Sequence, residues 1–268
     1  VIPGASAGEQ STIGELGARP GATRLPLQIS DQVSGSVDVG TGNLMLSVTG
    51  LSLPGVNSDV ALGAVFNSQS TETTSGDAAA RWTLNLGGTG SLSSTPSGVL
   101  YTAGDGYSSL FTPVSGSTTA FTAPAGTKAD LVKNADGTYT LTSRTSASVV
   151  TFNSDGRVKS LADRNGNTTT FTPATGKITG ITATRGVTNA RTAVLSYDSY
   201  SGTLAGISQT NGAATRSASF FNDGYGTWAK FTDPAGKITT FGYNGGRISA
   251  ITPPTGGKTN LTYDTSGR

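Results

Sequence analysis

Five aromatic side chains, Trp82, Tyr107, Tyr200, Tyr225 and Trp228, stand beside glycine-rich stretches. Rings presented on a β surface stack on sugar rings, so these are the candidate carbohydrate-binding residues, although the same rings also fill sheet cores. Tyr-Asp pairs occur at Tyr197-Asp198 and Tyr263-Asp264. There the tyrosine is expected to pack with a bonded hydroxyl, and the aspartate to accept from turn N–H groups. Residues 256–259 read GGKT, the tail of a phosphate-binding loop, but the motif's first glycine would fall at Thr252. Residues 163–168, DRNGNT, begin like a calcium loop, yet its sixth position is Thr168 and no glutamate closes it at the twelfth. Both read as hairpin turns.

The missing residue types exclude more. Among 268 residues there is no cysteine and no histidine. Disulfides, thiolate nucleophiles, imidazole bases and the common zinc ligands are therefore absent. Glycoside hydrolysis needs only two carboxylates, but glutamate occurs solely at Glu9, Glu15 and Glu72, and most later aspartates stand in turn positions. A carboxylate-dependent glycan-processing enzyme is thus the second alternative, and the expectation is a non-catalytic chain with no cofactor and no metal. A net charge of +2 with dispersed Lys and Arg offers no patch for nucleic acid. No run of 18 apolar residues is present, so no membrane span is expected. Low charge (13%) and richness in Gly, Ser and Thr point to a secreted or cell-surface location. Because Val1 is not an initiator methionine, the chain is expected to be a mature or excised piece.

The elements that would position these residues are strands. With 38 glycines and 34% hydrophobic residues, the chain suits short strands that turn often. Residues 1–32 lack periodicity and read as an irregular arm, a surface drape or a plug, with one helical turn possible in IGELGAR. Residues 33–95 read as a β cap: strands on either side of the GTGN turn at 40–43, another over 59–67, a polar loop at 68–79, and RWTLNL at 81–86. The stretch 87–98 reads as a soft boundary. Residues 96–148 form entry hairpins around Asp105-Gly106 and the NADG turn at 134–137.

From 149 to 268 a unit of about twenty residues repeats. Turn glycines fall at Gly156, Gly176, Gly202, Gly246 and Gly267, and the first four are followed by Val158, Ile178, Leu204 and Ile248. Runs such as V-K-S-L and I-T-G-I are read as short alternating strands. A second turn type appears at Asp163-Arg-Asn-Gly166, leading to Phe171, and at Asp233-Pro-Ala-Gly236, leading to Phe241. Insertions lengthen the unit near 184–191 and 210–217, and residues 222–231 read as its least regular copy. Such a unit cannot bury its apolar residues alone, so neighbours must stack.

Taken together, DGRVKSLADRNGNTTTF, YDSYSGTL, GYNGGRI with Tyr243, and LTYDTSGR resemble Rhs/YD repeats. VSGSVDVGTGNLMLSVTGLSLPG and YTAGDGYSSLFTP resemble the segments that precede those repeats in Gram-positive bacterial members of the family. The resemblance covers most of residues 30–268. It implies an all-β fold: stacked antiparallel β-hairpin YD repeats forming part of a curved β-shell, preceded by an atypical β cap. It also implies a structural role in a secreted polymorphic toxin or wall-associated protein. The partners would be downstream repeats or a C-terminal effector segment of the same precursor, with cell-wall or surface glycans as further candidates. The alternative function is a carbohydrate- or cell-surface-binding β module.

Overall fold

A computed structural model describes all residues except 55–58, 73–76 and 186–188. The turn of the 184–191 insertion and part of the 68–79 loop thus lie outside the described residues. The fold is all-β and antiparallel, with no closed barrel; among the described residues the one helix is α1 (Ala7–Ser11). Three sheets follow one another in strict chain order. The first contains β1 (Arg24–Gln28), β2 (Val33–Asp38), β3 (Leu44–Leu53), β4 (Val60–Asn67) and β5 (Trp82–Leu86). The second contains β6 (Ser91–Thr95), β7 (Gly98–Thr102), β8 (Ser108–Pro113) and β9 (Phe121–Thr122). The third has thirteen strands. It opens with β10 (Ala129–Lys133), β11 (Tyr139–Ser143), β12 (Val149–Phe152), β13 (Val158–Ala162), β14 (Thr168–Ala174) and β15 (Lys177–Arg185). It continues with β16 (Asn189–Tyr197), β17 (Leu204–Asn211), β18 (Ala214–Asn222) and β19 (Trp228–Thr232). It ends with β20 (Ile238–Asn244), β21 (Arg247–Thr252) and β22 (Thr259–Asn260).

Local turn chemistry makes the meander. In the loop from Asp163 to Asn167, Gly166 N–H donates to Asp163 O and Asp163 N–H to Asn167 O, both at 3.0 Å. Gly166 takes a φ of 81°, which side chains resist and glycine does not. The same two bonds close loops starting at Ala103, Asn134, Asn153, Asp233 and Asp264. This is the three-residue hairpin loop with a left-handed third residue. Loops starting at Asp38 and Asp198 are one residue longer and end on Gly42 and Gly202.

The spacing within the repeat is resolved by a bulge. Val158 and Leu161, or Ile178 and Ile181, are three apart, which on a regular strand would put them on opposite faces. Thr172 pairs Gly180 while Pro173 pairs Ile178, so Thr179 is an extra residue. The register slips in the same way between Thr151 and Phe152, Ser196 and Tyr197, Phe221 and Asn222, and Gly242 and Tyr243. Each bulge turns the post-glycine apolar residue inward: Val158, Ile178, Leu204, Trp228 and Ile248 are all buried. These runs are therefore not alternating strands, as their sequence was read, but bulged ones. A bulge repeated at the same end of successive hairpins also bends the sheet in one direction.

The five-stranded sheet packs on the inner face of the large one, with β3 crossing β16, β17 and β18. Leu46, Leu53, Leu62 and Phe66 are fully buried there with Ile207, Phe231 and Ile251. A bulge at Gly50 keeps Leu51 and Leu53 in phase with Leu44, Leu46 and Val48. A Cβ at Gly50 would press on Ile207 Cδ1 and Ala218 Cβ, at 3.2 and 3.3 Å. The four-stranded sheet joins the large one edge to edge through a bridge between Ala120 and Val132.

Three sequence boundaries differ from the structure. The arm read over 1–32 holds β1, and its helical turn is Ala7–Ser11 rather than IGELGAR, because Ser6 and Glu9 form a capping box there. It is fastened throughout. Ile2 and Leu16 are buried, Ala5 N–H donates to Ser94 O, Gly17 N–H to Asn67 Oδ1, and Arg19 pairs with Asp38 at 2.8 Å. The stretch 87–98, read as a soft boundary, holds the change from the first sheet to the second but also contains β6. The large sheet begins at Ala129, ahead of the repeat read from 149, and takes in two of the entry hairpins: the β10–β11 loop is the same short turn and the β11–β12 loop the longer one.

Two expectations follow. A Cβ at Gly63 would overlap Val48 O, a backbone atom, whereas one at Gly166 meets nothing within 4 Å and faces only the positive φ. Urea denaturation should find Gly63→Ala less stable by about 1–3 kcal/mol or more, and Gly166→Ala by about 1 kcal/mol. The Arg19 guanidinium holds the Asp38 carboxyl at about 2, below its ordinary 3.8, with the N–H groups of Thr41 and Gly40 helping against burial. A depressed carboxyl stabilises fully above its unfolded value and loses that contribution as pH falls through its folded one. Hydrogen exchange at Gly17 should therefore accelerate, beyond its intrinsic pH trend, between about pH 4 and pH 2. Asp38→Asn should remove that step.

Candidate functional site

The residues with chemical potential in the repeat are spent on structure. Tyr197 Oη donates to Ile178 O at 2.7 Å, Tyr243 Oη to Trp228 O at 2.9 Å, and Tyr263 Oη to Ile248 O at 2.7 Å. Each acceptor is the residue that the bulge turns inward on the preceding strand, two residues beyond the ladder with the next strand, which stops at Gly180, Lys230 and Ala250. Burial pushes all three phenols up, Tyr263 to about 12. Asp163 Oδ1 accepts from the N–H groups of Asn165 and Asn167, and Asp233 Oδ1 from those of Ala235 and Lys237. Asp198 accepts from Tyr200 and Ser201, and Asp264 from Ser266 and Arg268. Their carboxylates face turn amides. Phe171 and Phe241 are core residues.

The aromatic candidates separate into two groups. Trp82 and Trp228 are 2% and 0% exposed, with ring centroids 5.3 Å apart, so neither presents a ring to a sugar. Trp82 also meets Phe66 and Phe241, and its Nε1 donates to Tyr243 Oη at 3.2 Å. This pair ties the five-stranded sheet to β19 and β20. Residues 222–231 are accordingly a regular copy of the unit: Asp223 and Gly226 make its turn and Trp228 stands where the others have Val, Ile or Leu. Tyr107 is half-buried beside the arm at Gly17. Tyr200 and Tyr225 are 90% and 91% exposed on the β16–β17 and β18–β19 turns, at one end of the sheet.

That end carries a contact the sequence did not announce. Residues of the first two sheets bond successive turns of the large one. Leu92 N–H donates to Gly156 O, Leu204 N–H to Asp77 O, Ala80 N–H to Gly226 O and Gln69 Nε2 to Gly267 O. Lys177 Nζ spans Asp77 Oδ1 at 3.0 Å and Gly202 O at 2.6 Å. A left-handed glycine directs its carbonyl away from the ladder, which leaves it free to accept such bonds. Behind this seam, Asn43 and Asn67 are both 1% exposed and hydrogen-bonded to each other at 2.8 Å. Asn67 also takes Gly17 N–H and gives Nδ2–H to Asp105 O.

Neither motif fragment has the surroundings of a ligand site. Gly256 lies in the β21–β22 connection, its N–H on Pro253 O, with no helix following. Among the described residues no three Asp or Glu side chains converge. Glu9 and Glu72 do meet, in a cavity of about 330 Å³ under the arm. Ser6 bonds both carboxylates, and burial and then Glu72 push Glu9 up. Their bonds serve the cap of α1 and the docking of the arm. A groove of about 660 Å³ opens between the β5–β6 connection, Tyr101 of β7 and the inner face of β10–β13.

Compared with known proteins, the chain matches no family model and no curated sequence.

Removing one repeat hydroxyl leaves a buried carbonyl unpaired. Tyr197→Phe and Tyr263→Phe should each cost about 1 kcal/mol in urea denaturation. Tyr243→Phe should cost about 1–3 kcal/mol more, because Trp82 Nε1 is stranded as well. Tyr200→Ala and Tyr225→Ala should stay within about 0.5 kcal/mol of the parent.

Proposed function

We propose that the chain is a structural, non-catalytic segment of a curved β-shell of the Rhs/YD-repeat kind, belonging to a secreted or cell-surface protein. Its partners on this reading are further hairpins of the same precursor, or an effector segment held by the shell. The observation that carries it is the tyrosine cap made three times over, the last by Tyr263 beyond the end of β22. The unit is thus finished on its final hairpin, and β22 pairs with β21 alone among the described strands. The closing turn from Asp264 to Arg268 is formed and aims the chain back along β22. An open antiparallel edge with a formed return turn is a template for one more strand.

A second reading, a carbohydrate- or cell-surface-binding module, rests on Tyr200 and Tyr225. Two fully presented rings on neighbouring hairpin turns sit about 10 Å apart by strand spacing, a suitable interval for stacking on an extended glycan. The first reading is preferred because the buried tyrosines and turn aspartates that recur in the repeat are consumed by the wall itself.

The test is extension. A chain with a second copy of residues 248–268 joined after Arg268 continues the unit in register. In the parent, the amide of Leu261 should exchange at least about tenfold faster than those of β17 and β18. In the extended chain it should slow towards their rate. An appended copy that leaves β22 exchange unchanged overturns the reading.

A further inference from the structure

The inner face of the large sheet is filled unevenly. Over β16–β18 the five-stranded sheet covers it; over β10–β13 the groove of about 660 Å³ stays open. Its floor is apolar, made by Leu141, Val150 and Leu161. Its walls are polar in a particular way. Tyr101 lines it with a hydroxyl that has no hydrogen-bond partner among the described residues, while its ring is fixed against Phe152 at 6.0 Å. Ser143, Ser146 and Ser148 line it from the β11–β12 turn, and Arg164, which has no ion-pair or hydrogen-bond partner among the described residues, stands exposed at its rim. Neighbouring Asp163 also lines the groove, its carboxylate accepting from Asn165 N–H, Asn167 N–H and Asn167 Nδ2.

The serine turn is itself unusual. Ser143 N–H donates to Ser148 O and Ala147 N–H to Ser143 O, the same bonds as in the longer loops from Asp38 and Asp198. Those loops put Gly42 and Gly202 at the left-handed position, whereas here Ala147 holds a φ of 54°. A side chain kept in that region costs about 1 kcal/mol or more and is often retained where the loop serves a ligand.

We propose that this groove binds a short oligosaccharide bearing a carboxylate. Arg164 pairs with the carboxylate, Tyr101 and the serine hydroxyls exchange hydrogen bonds with sugar hydroxyls, and the ring's apolar face lies on Leu141, Val150 and Leu161. The volume suits two or three sugar rings. A peptide fits less well: β11, β12 and β13 are paired on both sides, and the outer edge of β10 is already engaged by the Val132 bridge, so the groove offers little strand edge for backbone pairing. The site shares no residue with the wall-building tyrosines and does not depend on the shell reading.

Titration calorimetry with trigalacturonate, cellotriose and a triglutamate peptide tests it. Trigalacturonate should bind with a Kd on the order of 10⁻⁴ M, weakening as salt rises. Arg164→Ala should weaken it about tenfold, Tyr101→Phe by a smaller factor, and Val150→Trp, which fills the floor, should abolish it. Arg164→Ala and Tyr101→Phe break no contact within the protein, so their thermal midpoints should match the parent and exclude misfolding. Equal binding of cellotriose, binding of the peptide in place of the sugar, insensitivity to Arg164→Ala, or no binding at millimolar trigalacturonate overturns the proposal.

Discussion

Two apolar residues three positions apart cannot share one face of a regular strand. The large sheet depends on evading that constraint, and it does so with one extra residue at the same place in five hairpins. The bulge brings Ile178 and Ile181, Leu204 and Ile207, Trp228 and Phe231, and Ile248 and Ile251 to the inner face together. On the other side of each such strand the next ladder stops two residues short of the inward residue, and in three units a tyrosine from the next strand takes its carbonyl. Bulge and tyrosine thus serve the two sides of one residue, and the bulge follows from the apolar spacing.

Burial of that face needs a second layer. The five-stranded sheet supplies it, with Trp82 locked between Phe66, Trp228 and Phe241. Close approach is secured by Gly50 where β3 crosses the large sheet, by Gly63 beside the bulge on the paired strand, and by the seam in which turn carbonyls accept from Leu92, Ala80 and Gln69. Trp228 Nε1 is discordant, one of four buried side-chain polar atoms without a partner among the described residues. An indole in a slot that otherwise holds Val, Ile or Leu fills volume at the expense of a donor, a trade of roughly 1–3 kcal/mol against the burial of a large ring.

Hairpins were legible in the sequence because a turn is local: Asp-x-x-Gly and Asn-x-x-Gly state the hydrogen bonds and the positive φ within five residues. Strand order followed, since each hairpin pairs with the next. What was not legible depends on the third dimension. Trp82 and Trp228 read as surface rings because glycines stand near them, yet the turn at Gly226 leads Trp228 into the core, and a turn closed by Trp82 N–H on Ala79 O, with Arg81 at positive φ, leads Trp82 there. The copy at 222–231 looked irregular because Trp replaced an aliphatic residue, although Gly226 preserves the spacing. The arm carries no period, and its attachments run to Asn67, Asp105, Asp38 and Ser94 from far along the chain. The groove was invisible for the same reason: Tyr101, Ser146 and Arg164 belong to three separate hairpins.

The seam between turn carbonyls and the first two sheets has a temporal meaning. Its donors at Gln69, Ala80 and Leu92 leave the ribosome before the glycines they bind, and nascent domains begin to fold from the N-terminal side. Each new hairpin makes only short-range contacts with its predecessor, a fast kind of closure, and then finds its docking partner already in place. The first sheets therefore act on the later ones as a mandrel does on wound wire: they set how far round each added hairpin must sit before it is released from the tunnel.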